Sequence, residues 1–140
     1  MKRSLLAVPA AALLMGVAVP MALAHTGHSA PSSVNVTAGK PSEFSFVLSS
    51  KSVKSGVITF KVTNGSSSGL SHDFFLCSSP AKSVATATLP NSCKGRGTKQ
   101  LGKGQTATLR VSVLKAGNYE YLCTVPGHAA GGMKGIVKVT

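Results

Sequence analysis

The sequence predicts an all-β domain built as a sandwich or a barrel. Seven short runs of alternating apolar or β-branched residues occur between residues 33 and 140, and turn residues such as Gly, Asn and Pro lie between them. No convincing helical periodicity follows residue 24. Short strands at this spacing are typical of sandwiches and barrels.

The strands are predicted in chain order from these runs. They cover residues 33–37, 43–48, 56–62, 70–77, 106–114, 117–123 and 133–140. In the second run Phe44 and Phe46 share one face, and the fourth run passes through His72. Residues 78–104 form a long polar segment that is too long for a plain hairpin, and we expect a short helix or strand around residues 84–89.

The N-terminus has the pattern of a secretory signal over residues 1–24. Lys2 and Arg3 supply the positive start, an apolar run follows, and the small residues Ala22 and Ala24 fit a cleavage site. The apolar run is nearly long enough to serve instead as a membrane anchor. We expect cleavage, followed by a flexible lead-in at 25–32, one domain at 33–140, and a periplasmic or extracellular location in the cell envelope.

The chain is strongly basic, with a formal net charge of +12 that falls to about +10 if Lys2 and Arg3 are removed. The acidic residues are Glu43, Asp73 and Glu120. Such a charge attracts acidic surfaces. The predicted export and the lack of an aromatic-basic motif argue against nucleic acid as the binding partner. We therefore expect a partner with an acidic surface, with an anionic membrane surface or wall as the other possibility, and a monomeric protein.

Three metal-binding side chains occur at regular spacing near the C-terminus. Cys123, His128 and Met133 are separated by four residues each, so one loop offers a thiolate, an imidazole and a thioether. One Cys, two His and a weak axial Met are the ligands of a blue-copper electron-transfer site. His72 is the natural fourth ligand, because the remaining histidines, His25 and His28, lie in the lead-in.

This pattern of Cys-x4-His-x4-Met at a strand end, with one upstream His, resembles the cupredoxins. The loop length is closer to the auracyanin, rusticyanin and sulfocyanin group than to plant plastocyanin. The resemblance implies a Greek-key β-sandwich of seven to eight strands. It also implies one copper ion that cycles between Cu(I) and Cu(II), held by His72, Cys123, His128 and Met133. By the same resemblance, the edge of His128 is the electron port. Lys94, Lys99, Lys103 and Lys134 could orient an acidic partner around it.

Two further features concern residues around the predicted site. Asp73 stands where the family often has Asn, and its side chain is expected either to bond to the ligand loop or to be a surface carboxylate without a role.

Cleavage after Ala24 would expose His25 as an N-terminal residue that, with His28, could bind a second metal. The resemblance to the N-termini of copper monooxygenases rests on the single residue His25.

Cys77 and Cys93 remain after Cys123 is assigned to the metal. An even pair in an exported chain predicts a disulfide. It would close a loop of 17 residues and stabilise the fold by about 3 kcal/mol in the chain-entropy model.

The predicted function is the transfer of single electrons between redox partners, without enzymatic activity. A copper-handling protein that stores or delivers the metal is the alternative. A multicopper oxidase or nitrite reductase would need further His-rich sites, and the folded region has only His72 and His128.

Overall fold

A computed structural model describes residues 32–80 and 95–140 of the chain, with no side-chain description at 79 and 80. This part of the chain contains nine strands and no helix. The strands are β1 (Ser32–Ala38), β2 (Phe46–Leu48), β3 (Ser52–Val53), β4 (Gly56–Asn64), β5 (Phe75–Pro80), β6 (Gly95–Gly97), β7 (Thr106–Val113), β8 (Gly117–Leu122) and β9 (Lys134–Val139).

The strands form a four-stranded sheet in the order β2-β1-β4-β7 and a five-stranded sheet in the order β3-β9-β8-β5-β6. Both sheets are mixed, since β1 runs parallel to β4 and β3 runs parallel to β9, whereas the other pairs are antiparallel. Side chains from the two sheets pack into one hydrophobic core, which confirms the predicted β-sandwich.

Alternation along the strands explains how this core forms. In β4, Ile58, Phe60 and Val62 are buried, while Lys61 between them is exposed. The aromatic rings of Phe60, Phe74 and Tyr121 pack in a row, with centroids 5.0 and 5.4 Å apart. This row bridges the two sheets below the loops that carry the predicted ligands.

Most predicted strands are confirmed, with three corrections. The second is shorter than expected, because Phe44 lies in the loop before β2 and is 40% exposed. The fourth begins at Phe75, so His72 precedes the strand and is held by a single bridge to Leu101. The short edge strands β3 and β6 were not predicted, because two or three residues carry no periodicity.

Several predictions fall outside the described residues. These are the signal at 1–24, the lead-in at 25–32 except for its last residue, and the element around 84–89. Within the two described segments, no helix is long and apolar enough to cross a membrane.

Candidate metal centre

The predicted ligands meet at one end of the sandwich, in loops between strands. Cys123 follows directly after β8, and Met133 directly precedes β9. Both are fully buried and pack with Ala38 at the end of β1. The ligand loop, residues 123–133, is therefore anchored at both ends by paired strands.

Backbone hydrogen bonds within the ligand loop fix its shape. The N–H of Cys123 donates to the carbonyl of Met133 at 3.0 Å, and the N–H of Met133 donates to the carbonyl of His128 at 2.9 Å. The N–H of His128 donates to the carbonyl of Val125 at 3.1 Å. These bonds link the backbone of all three predicted ligands, which explains why a spacing of four residues brings their side chains together.

His72 is positioned from the opposite side by a separate set of bonds. Its N–H and carbonyl both pair with Leu101, at 3.0 and 2.7 Å. The fully buried Asn64 donates its amide to the carbonyls of Leu70 and Leu101, at 2.8 and 2.7 Å. Asn64 thus ties together the two backbone segments that hold His72.

The donor atoms converge in a buried cluster. Nδ1 of His72 lies 3.1 Å from Nδ1 of His128, and Sγ of Cys123 lies 3.5 Å from the same His128 atom. All three donor atoms lie within 4.8 Å of one another, and the three residues are buried. Two imidazole nitrogens and one sulfur that face each other in this way fit a copper ion.

Glu43 contacts the other nitrogen of the His72 ring. Its Oε1 lies 2.8 Å from Nε2 of His72 and accepts a 2.5 Å hydrogen bond from the hydroxyl of Ser66. The hydrogen bonds from Ser66, and then those from His72 and Ser68, lower the pKa of Glu43 to about 2, against an opposing effect of burial. The carboxyl is therefore ionised at neutral pH and fixes a proton on Nε2 of His72.

The prediction overlooked Glu43 as a neighbour of the site. A possible signal was its rarity, as one of three acidic residues in a basic chain. The loop that carries Glu43 begins at Gly39, where φ is +74°. A Cβ at Gly39 would lie 2.9 Å from Cα of Ser66 and 3.2 Å from Nε2 of His72, so the backbone can approach His72 only through a glycine.

Asp73 ties the backbone beside His72 to the ligand loop. The backbone N–H of Thr124 donates to Oδ1 of Asp73 at 2.6 Å, and the hydroxyl of Thr124 donates to Oδ2. Asp73 is buried, at 4% exposure. Of the two expectations for Asp73, the structure agrees with a bond to the ligand loop and not with a free surface carboxylate.

The environment of Cys123 and His128 keeps both neutral in the absence of metal. Burial raises the pKa of the Cys123 thiol to about 11, and the Asp73 charge adds to this, whereas backbone N–H groups of Asp73 and Val125 oppose it. Burial, together with repulsion from His72, lowers the pKa of His128. A bound copper ion would reverse the balance at the thiol, since a coordinated thiol is deprotonated.

His128 is less accessible than expected for an electron port. It is 7% exposed, and the Phe44 ring lies beside it, with centroids 5.0 Å apart at 58°. A Cβ at Gly131 would lie 3.2 Å from the Phe44 ring. Phe44, at 40% exposure, thus covers part of the surface between His128 and solvent.

Some expectations about this region concern residues that the structure does not describe. Cys93, His25, His28 and Lys94 lie outside the described ranges, so the Cys77–Cys93 disulfide and the second metal site stay predictions. Among the described cysteines, Cys123 is free and buried.

The sandwich and its His, Cys, His cluster with an adjacent Met define a mononuclear type 1 copper protein, a cupredoxin. Residues 32–140 match the family model of the copper binding proteins of the plastocyanin/azurin family. The chain belongs to this family, and copper is its cofactor.

Solved structures of the same architecture include auracyanins and a rusticyanin. Auracyanin from Roseiflexus castenholzii is 24% identical, with a TM-score of 0.59 over 79% of this chain and 98% of that chain. Auracyanin A, a "blue" copper protein from Chloroflexus aurantiacus, is 20% identical, with a TM-score of 0.59 over 79% and 100%. Rusticyanin from Thiobacillus ferrooxidans is 24% identical, with a TM-score of 0.57 over 77% and 76%. No curated protein matches the sequence significantly.

Proposed function

We propose that this protein carries single electrons between redox partners and is not an enzyme. The observation that supports this best is the buried meeting of Nδ1 of His72, Nδ1 of His128 and Sγ of Cys123 within 4.8 Å. With Met133 packed against Cys123, the chain offers the four ligands His72, Cys123, His128 and Met133. A copper ion held by these four ligands can accept and donate one electron by cycling between Cu(II) and Cu(I).

The surrounding residues suit electron transfer because they restrain the ligands. Cys123 and Met133 are tied by a backbone hydrogen bond, and His72 is paired with Leu101 on both its backbone groups. Asp73 joins the His72 side of the site to the ligand loop through Thr124. A framework that limits ligand movement between two oxidation states keeps the reorganisation on electron transfer small.

A partner would approach the copper end of the sandwich beside His128. Phe44, whose ring lies beside His128, is 40% exposed, and Leu70, two residues before His72, is 41% exposed, so both offer apolar surface for close approach. Lys40 is exposed in the loop before Phe44, and Lys103 contacts the carbonyl of Ser67 at 3.4 Å. Together with the net charge of +12, these lysines support an acidic redox protein as partner.

Export to the periplasm or cell exterior is the proposed location. It rests on the N-terminal pattern of positive charge, apolar run and small residues. N-terminal sequencing of the secreted protein should begin at His25. A chain that starts at Met1 and stays with the membrane fraction would instead support an uncleaved anchor.

The function is tested by pairing Cys123→Ser with Met133→Leu. Both side chains are buried against Ala38, so each variant perturbs the same part of the fold. Cys123→Ser should lose the intense visible absorption of Cu(II)–thiolate and the rapid electron exchange. Met133→Leu should keep the absorption and raise the reduction potential, because a weak axial donor is lost.

Electron self-exchange and copper release to a chelator should be measured on the same samples. Fast electron exchange with slow copper release supports an electron carrier. A colourless Cu(II) protein, or one that releases copper quickly and exchanges electrons slowly, would favour the copper-handling alternative.

A further inference from the structure

Glu43 is the acidic side chain that contacts the ligand His72. Its Oε1 lies 2.8 Å from Nε2 of His72, on the side of the ring opposite the donor atom Nδ1. His72 is fully buried, whereas the Glu43 side chain is 20% exposed. The carboxylate therefore lies between a buried ligand and the protein surface.

The contact is built into the fold. Ser66 is 1% exposed, and its hydroxyl donates a hydrogen bond to Glu43. The hydroxyl oxygen of Ser66 also accepts hydrogen bonds from the backbone N–H groups of Gly69 and Leu70, at 3.0 and 3.1 Å. The backbone N–H of Ser66 itself donates to Asn64 at 2.9 Å. One chain of hydrogen bonds thus runs from the side chain of Asn64 through Ser66 to Glu43 and His72.

The position of Glu43 has two physical consequences for His72. An acceptor at Nε2 keeps the proton on that nitrogen, so the lone pair of Nδ1 faces Cys123 and His128. A carboxylate there also makes the imidazole a stronger donor. The extra negative charge stabilises the more highly charged metal ion more than the less charged one, and a site shielded from water screens it weakly.

We propose that Glu43 is a positioning residue for the copper site, which fixes the tautomer of His72 and biases the site towards Cu(II) through its charge. This inference rests on the proposed redox function. It goes further in assigning the reduction potential partly to a residue far from the ligand loop in sequence. The carboxylate acts through His72 and does not itself bind copper.

The main test is Glu43→Gln, which removes the charge and leaves an oxygen able to accept from His72 and Ser66. Cu(II) affinity should fall by about 10- to 100-fold, the usual cost of losing a partner behind a metal ligand. Cu(I) affinity should fall less. Each tenfold difference between the two losses raises the reduction potential by about 59 mV.

Two further variants separate charge from loop structure. Glu43→Asp keeps a carboxylate in the same loop, so its potential should stay closer to wild type than that of Glu43→Gln. Ser68→Ala removes a hydroxyl that hydrogen-bonds Glu43 and keeps the contact with His72, so it should leave the potential nearly unchanged. Affinities and potentials are measured on copper-loaded proteins whose visible spectra confirm the thiolate bond.

The results distinguish this proposal from the proposed function. A wild-type protein without thiolate absorption or redox cycling would refute the electron-carrier function. A coloured, redox-active wild type with an unchanged potential in Glu43→Gln would overturn only the role of Glu43. Equal shifts in Glu43→Asp and Glu43→Gln would also overturn it, because the charge would then have no effect.

Discussion

Replacing Asp73 should separate the charge beside the copper site from the hydrogen bonds that hold it. Asp73 accepts from both the backbone N–H and the hydroxyl of Thr124. Asn keeps an oxygen for the N–H, and its amide can donate to the hydroxyl, which can also act as an acceptor. Asp73→Asn therefore keeps both hydrogen bonds and removes the charge, whereas Asp73→Ala removes the charge and both hydrogen bonds.

The sizes of the two effects follow from the geometry. Two hydrogen bonds to a buried charged group contribute about 1.5 to 3 kcal/mol each, so Asp73→Ala should lose about 3 to 6 kcal/mol of stability. Asp73→Asn should lose about 2 to 3 kcal/mol, since each neutral hydrogen bond contributes only about 0.5 to 1.5 kcal/mol. At an effective dielectric constant of 20, a unit charge contributes about 4 kcal/mol at about 4 Å and proportionally less at longer range, so removing the Asp73 charge in Asp73→Asn should raise the potential by roughly 50 to 100 mV.

Voltammetry of the copper-loaded protein gives the potential, and denaturant unfolding gives the stability. The wild type and both variants should be compared at one pH, with visible spectra to show that the thiolate site is intact. An unchanged potential in Asp73→Asn would mean that the Asp73 charge does not reach the copper. Equal stability of the Ala and Asn variants would mean that the bonds to Thr124 do not hold the ligand loop.

Three further predictions concern groups away from the ligands. Burial raises the pKa of Glu120, whose Oε1 has no partner in the described structure, so folded Glu120 keeps its proton to a higher pH than in the unfolded chain. Stability should therefore fall as pH rises above about 4.5, and Glu120→Gln should reduce that fall and add roughly 1 kcal/mol at neutral pH, as read from melting curves. Electron transfer to an acidic partner should slow with added salt in stopped-flow assays, because salt screens the attraction between the two surfaces. A rate that stays flat or rises with salt would mean that the basic surface does not attract the redox partner. Thiol titration of denatured, unreduced, metal-free protein should find one free thiol, and three would exclude the Cys77–Cys93 disulfide.

The ligand loop could be predicted because its information is local. Cys123, His128 and Met133 lie within eleven residues, and bonds inside the loop convert their spacing into geometry. His72 was found by elimination, although its expected place inside a strand was wrong. It is held by a bridge to Leu101, a residue inside a segment that showed only polar composition.

Glu43 could not be assigned from the sequence because its contact is long-range. It lies 29 residues from His72, and the loop that brings it there follows the turn at Gly39 and is bonded to the buried hydroxyl of Ser66. Nothing in the residues around Glu43 indicates an ion pair with a ligand. The same reason hid the edge strands β3 and β6, which exist through their neighbours and not through their own pattern.

The separation of the ligands along the chain decides when metal selection takes place. His72 and His128 are 56 residues apart, and their rings meet only after the loops at one end of both sheets are in place. Before folding, the chain therefore offers a metal ion only the donors of the ligand loop, without His72. Selection between copper, zinc and competing ions therefore depends on the folded site, where the distances between the donor atoms are fixed. Metal selection is thus a property of the folded domain and not of the unfolded chain.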